Sequence, residues 1–137
     1  MIWTLVSVTV IVLGWYWDRQ LFKAESGLVC ENIHPPEAKA FLDAHPHTQV
    51  LDVRSDAEFS GGAFPGAIQI SFGDAEYEQK ASKLDKTRPV LVYCAGGFRS
   101  SKAAAVLKIQ RFTNIQHLHR GYHSWRSAGF PVDLSVR

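Results

Sequence analysis

The stretch PVLVYCAGGFRSSKAAAVLKIQR, Pro89 to Arg111, decides the fold class. Pro89 to Tyr93 is a short apolar run rich in β-branched residues, the pattern of a strand buried on both faces. It ends on Cys94. A glycine-containing loop follows, and Ser100 to Arg111 then reads as a helix whose alanines allow close packing on a sheet. A buried strand that runs through a tight loop into a helix is half of a βαβ unit, so it predicts a parallel sheet.

Working outward, the same alternation continues in both directions. Upstream, Pro35–Pro36 opens a helix that runs to Ala44 and stops at His45–Pro46. Val50 to Val53 reads as a buried strand, and Ser55 to Phe59 as a capped helical turn. After the Gly61–Gly62 and Pro65–Gly66 turns come a brief strand, Ala67 to Ile70, and a helix from Ala75 to Leu84. Downstream, Ile115 to His119 is a strand and Tyr122 to Ala128 a helix. The expected architecture is a mostly parallel sheet flanked by helices on both faces, and ligands of such sheets bind at the carboxyl ends of the strands. Cys94 sits at one of those ends.

A chain of 137 residues has room for one ordinary domain, and 46% hydrophobic with 20% charged residues excludes disorder. The formal net charge of +2, with no Lys/Arg cluster, gives no nucleic-acid footprint. Two cysteines, Cys30 and Cys94, cannot make a disulfide scaffold and read as free thiols. Met1 to Trp17 carries no charge before Asp18, and aromatic residues stand at both ends: Trp3 at one, Trp15 to Trp17 at the other. Residues 1–17 are therefore expected to form a transmembrane anchor, residues 18–31 a linker, and residues 32–137 the folded domain. A cleaved signal peptide is the rival, but it lacks a basic leader and a small-x-small cleavage site. Arg19 and Lys23 follow the span and place the domain on the cytoplasmic side of a single-pass membrane protein.

The chemistry lies in Cys94 to Ser100, CAGGFRS. Gly96 and Gly97 let the backbone curl so that successive N–H groups face inward as an anion nest. The helix N-terminus adds partial positive charge, and Arg99 adds a full one unless it turns to a structural carboxylate. A thiolate is favoured in such a cavity. At an ordinary pKa of about 8.5 only about 3% of a thiol is ionised at pH 7, and a drop of about two units raises that to about 75%. No histidine or aspartate stands next to Cys94 in sequence to act as a base.

These residues resemble the rhodanese domain in its single-domain form. Its reactive loop, C-x-x-G-x-R-S, is matched by Cys94, Gly97, Arg99 and Ser100. Its L-D-V-R, E-F and P-G-A steps are matched by Leu51 to Arg54, Glu58–Phe59 and Pro65 to Ala67, and its G…W…G-x-P by Gly121, Trp125, Gly129 and Pro131. Order and spacing agree over roughly residues 33–132. The resemblance implies a five-stranded α/β fold and a sulfurtransferase. Cys94 would take sulfur from thiosulfate or a persulfide and pass it to cyanide, a thiol or a protein acceptor. The loop Ala95, Gly96, Gly97, Phe98, Arg99 and Ser100 would hold the charge. The covalent Cys94 persulfide is the intermediate, with no cofactor and no metal. Two other readings are a docking module that only presents a persulfide at the membrane, and a cysteine-dependent phosphatase or arsenate reductase. The latter use a loop one residue longer than the six from Cys94 to Arg99.

Supporting roles fall to Asp52 and Arg54 at a strand end. Arg54 is spaced to pair with Glu58, and Asp52 either braces the reactive loop or caps a local turn. His117 and His119 share one strand face, without a third ligand that would make a metal site. His123 borders the pocket or lies on the surface, Trp125 belongs to the core, and Phe98 shapes the mouth. Cys30 is a resolving thiol, a lipidation site or a bystander.

Overall fold

The computed structural model describes residues 29–136. The expected anchor at 1–17 and most of the linker lie outside the described residues. Among those described, no helix is long and apolar enough to cross a membrane.

Five strands form one sheet: β1 (Val29–Ile33), β2 (Gln49–Asp52), β3 (Ile68–Gln69), β4 (Val90–Tyr93) and β5 (Asn114–Leu118). Their order is β1-β5-β4-β2-β3, and every pairing is parallel. Four helices connect them, α1 (Pro35–Ala44), α2 (Asp56–Ser60), α3 (Tyr77–Ala81) and α4 (Phe98–Ile109), and α5 (Gly121–Ser127) follows β5.

Period-2 alternation along β4 feeds two cores. Val90, Val92 and Cys94 face one layer with Tyr77, Ala81, Ala103, Ala104 and Leu107, from α3 and α4. Leu91 and Tyr93 face the other, with Ala38, Tyr122 and Trp125 from α1 and α5. A strand covered on both sides has no solvent face, which is why PVLVY shows no polar alternation.

Several boundaries differ from the sequence reading, among them the helix expected over 75–84, which is confined to Tyr77–Ala81, and two of the differences bear on the site. The expected linker ran through Glu31, but the chain from Val29 is an edge strand paired with β5. Four of its five residues are exposed, so it carries no apolar run to announce it. The helix expected from Ser100 begins two residues earlier, at Phe98, because Gly97 caps it in the left-handed conformation at φ 104°. The loop proper is thereby reduced to Ala95–Gly97, and the helix N-terminus is drawn up against Cys94.

Candidate active site

Cys94 follows the last residue of the central strand and is 1% exposed. The Gly97 N–H donates to its Sγ at 3.0 Å, and Ser100 Oγ lies 3.3 Å from the sulfur. Burial pushes the thiol pKa up. Hydrogen bonds from the side chain and backbone of Ser100 and from the Gly97 and Gly96 N–H groups outweigh it, leaving the pKa below the ordinary thiol value.

The loop presents its N–H groups inward because its carbonyls are held from behind. Tyr122 N–H donates to the Cys94 carbonyl at 2.7 Å and His123 N–H to that of Ala95 at 3.1 Å, both from the first turn of α5. Arg120 and Gly121 precede this contact in left-handed conformations, at φ 57° and 60°. A Cβ on Gly121 would collide with the Cys94 and Ala95 carbonyl oxygens, so this position requires glycine sterically as well as conformationally.

Arg99 takes the structural carboxylate. Its Nη1 and Nη2 donate to Glu58 Oε1 and Oε2 at 2.7 and 2.9 Å. Glu58 also closes a capping box with Ser55 at the start of α2. Arg99 hydrogen bonding, Ser55 and the Arg99 charge together hold the Glu58 carboxyl at about 2 despite its partial burial. The arginine charge is thus fixed beside the loop and shared with a carboxylate.

The expected Arg54–Glu58 pair does not form. Arg54 folds back onto Asp52, with Nε–Oδ1 at 3.0 Å and Nη2–Oδ2 at 2.7 Å, and Nη2 also donates to the Gly62 carbonyl at 2.6 Å. Both groups are buried. Asp52 accepts from the Arg54 N–H and from the Tyr93 hydroxyl, and none of the hydrogen bonds to its carboxylate comes from the reactive loop. Its backbone bond is a local turn cap, and the loop brace is absent: side chains two apart at a strand end project to one side and find each other first. Arg54 lies 4.1 Å over the Tyr122 ring, so the network ties β2, β4 and α5 together behind the site.

On the other side of Cys94 stands a group that sequence adjacency missed. His117 Nε2 lies 2.7 Å from Ser100 Oγ and 3.2 Å from the Gly97 carbonyl. Its Nδ1 lies 2.8 Å from Asn32 Oδ1, and Asn32 Nδ2 lies 3.1 Å from His119 Nδ1. The two histidines do share a face, and an asparagine bridges them. Burial holds the His117 pKa below its ordinary value. The available signal was register: β4 and β5 are parallel neighbours with Val92 opposite His117, which brings the end of β5 alongside Cys94.

The other residues singled out from the sequence take different places. Phe98 is 74% exposed on the rim, with Lys102 Nζ 4.4 Å from its ring centroid. A cleft lined by His34, His119, Arg120 and His123 opens beside α5. Trp125 is core, stacked on Phe64. Among the described residues no cluster of three or more His, Cys, Asp or Glu side chains could hold a metal ion. Cys30 is exposed on the edge strand.

Fold and site together define a parallel α/β domain that presents a cysteine within a ring of backbone N–H groups. The rhodanese-like domain family matches residues 34–128, and the chain belongs to that family. It is 37% identical over 94 residues to a tRNA uridine(34) hydroxylase of Cytophaga hutchinsonii, covering 66% of this chain and 30% of that protein. It is 31% identical over 83 residues to a sulfurtransferase of Allochromatium vinosum, covering 61% and 76% respectively. A crystal structure of a rhodanese-related protein from Thermoplasma volcanium superposes with a TM-score of 0.68 at 29% identity, covering 76% of this chain and 98% of that one. The chain spans about a third of the length of the hydroxylases it matches.

Proposed function

We propose that the protein is a sulfurtransferase whose Cys94 carries sulfur as a persulfide. The observation that carries this reading is a buried thiol at the end of the central strand, with its pKa lowered by hydrogen bonds from the loop that encloses it. The Cys94 thiolate attacks the outer sulfur of a sulfane donor such as thiosulfate. A Cys94–sulfur bond forms, the donor's sulfur–sulfur bond breaks, and sulfite leaves with the electron pair. The outer sulfur of the persulfide then carries the negative charge, and the inward N–H groups of the loop are placed to hold it. Attack on that sulfur by cyanide, a thiolate or a protein cysteine gives thiocyanate or a new persulfide and returns the Cys94 thiolate.

The similarity to a sulfurtransferase of nearly the same domain length supports this class. The likeness to tRNA uridine(34) hydroxylases covers only a third of those proteins, and the matched part here has the reactive-cysteine domain at its centre. A sulfur-carrying step is therefore the reading favoured for this chain. The test is intact mass after thiosulfate or glutathione persulfide treatment, with Cys94→Ser alongside. A gain of about 32 Da that cyanide removes and the variant lacks supports the reading. No adduct from either donor overturns it in favour of a docking module.

A further inference from the structure

We infer that His117, acting through the Ser100 hydroxyl, accepts the Cys94 proton and so generates the attacking thiolate. The inference rests on Cys94 being the reacting group and adds the route by which its proton leaves.

The geometry is a hydrogen-bonded row. Cys94 Sγ and Ser100 Oγ are 3.3 Å apart, and Ser100 Oγ and His117 Nε2 are 2.7 Å apart. Asn32 sets the direction of the row. Its amide nitrogen faces His119 Nδ1 at 3.1 Å and donates there, which turns its oxygen to His117 Nδ1 at 2.8 Å. A carbonyl oxygen can only accept, so the His117 proton sits on Nδ1, and Nε2 presents a lone pair to the Ser100 hydroxyl. Ser100 is fully buried, so Oγ meets the sulfur and the imidazole with no room for solvent to replace it.

In this arrangement the Cys94 S–H donates to Ser100 Oγ while the Ser100 O–H donates to His117 Nε2. Transfer moves the hydroxyl proton to Nε2 and the thiol proton to Oγ. Serine is unchanged, the sulfur keeps the electron pair as a thiolate, and the imidazole becomes a cation. Two features receive that state. Ser100 O–H now donates to the thiolate, and the Gly97 carbonyl lies 3.2 Å from Nε2, ready to accept from its new N–H. That carbonyl faces a lone pair before the transfer and a proton after it.

The charged and titratable groups around His117 are few. Cys94 lies beyond Ser100, and His119 lies across Asn32 with His34 edge-on to it, ring centroids 4.7 Å apart. Arg120 follows His119, its backbone nitrogen 3.3 Å from where a Gly97 Cβ would stand. The Arg99–Glu58 pair flanks the reactive loop. Arg99 favours the thiolate, while Arg120 opposes a positive charge on His117. The internal pair is therefore a minor but reactive tautomer.

A thiol that ionises into solvent loses reactivity about tenfold for each pH unit below its pKa. One that ionises internally keeps a constant thiolate fraction until the imidazole protonates independently. The experiment is the pH dependence of iodoacetamide alkylation of the full chain in a Cys30→Ser background, followed by mass. The unsubstituted site should show a plateau below the main thiol titration. His117→Gln retains a hydrogen-bond acceptor for Ser100 without proton affinity, and it should abolish the plateau and fall about tenfold per unit throughout. Ser100→Ala should do the same. A two-bond 1H–15N spectrum should show Nε2 of His117 unprotonated near neutral pH, which holds even if a variant folds poorly. A plateau that survives in His117→Gln, no plateau in the parent, or an Nε2-protonated tautomer would each overturn the inference. Alkylation needs no sulfur donor, so this outcome is independent of whether the persulfide forms.

Discussion

Glu58 and Arg99 meet in a two-point ion pair, with Nη1–Oε1 at 2.7 Å and Nη2–Oε2 at 2.9 Å, across 41 residues of sequence. The contact docks the first turn of α4 onto α2, and the reactive loop enters α4 from that turn. One carboxylate thereby caps its own helix and positions the start of another.

This pair makes stability depend on acid. The folded Glu58 carboxyl titrates at about 2 against an unperturbed 4.5, so its contribution is full above about 4.5 and is lost as pH falls toward 2. Both side chains are 36% exposed, and solvent screening limits the contribution to about 1 kcal/mol. Urea unfolding of Glu58→Gln should show that deficit at pH 7 and none near pH 2.

The buried Asp52–Arg54 pair should be far less forgiving. Arg54→Met leaves a fully buried carboxylate whose remaining side-chain partner is the Tyr93 hydroxyl. A loss of about 3–5 kcal/mol is expected, measured by urea unfolding. Adding Asp52→Leu should recover part of it, because the stranded charge is then gone.

The left-handed loop glycine should set thiol reactivity. Gly97→Ala places a side chain at φ 104° and 3.3 Å from the Arg120 nitrogen, which draws the Gly97 N–H away from Sγ. The midpoint of alkylation against pH should rise relative to the unsubstituted protein, with Cys94 still modifiable.

Arg120 holds a conformation at φ 57° that costs a side-chain-bearing residue about 1 kcal/mol. Arg120→Gly should raise thermal stability by a few degrees, offset in part by the added freedom of the unfolded chain.

Apolar strands were legible because burial on both faces leaves a run such as Val90 to Val92 with no other use. The reactive loop was legible because glycine spacing next to a strand-end cysteine has few structural alternatives. What sequence spacing could not supply were the partners fixed by tertiary packing. Arg54 and Glu58 stand four apart, the spacing of a helical pair, yet Arg54 belongs to a strand end and Glu58 to the next helix, so each turned elsewhere. His117 comes alongside the Cys94 loop only because two strands pair in parallel with residues 25 positions apart opposite each other. Edge strand β1 left no trace at all, since a strand facing solvent needs no hydrophobic pattern.

That edge strand has a practical consequence. Residues 34–128 define the family match, but the hydrogen bonding extends past both limits. Val29 N–H bonds Thr113, Ile33 accepts from His119, Trp125 Nε1 donates to Pro131, and Ala63 bridges Asp133. A polypeptide trimmed to the matched limits would strip β5 of its outer neighbour and expose a full row of unpaired backbone groups, an invitation to intermolecular strand addition. It would also remove Asn32, the partner of His117 Nδ1. The sheet edge and the proposed proton route would then be lost together at one cut, though the cysteine itself stayed intact.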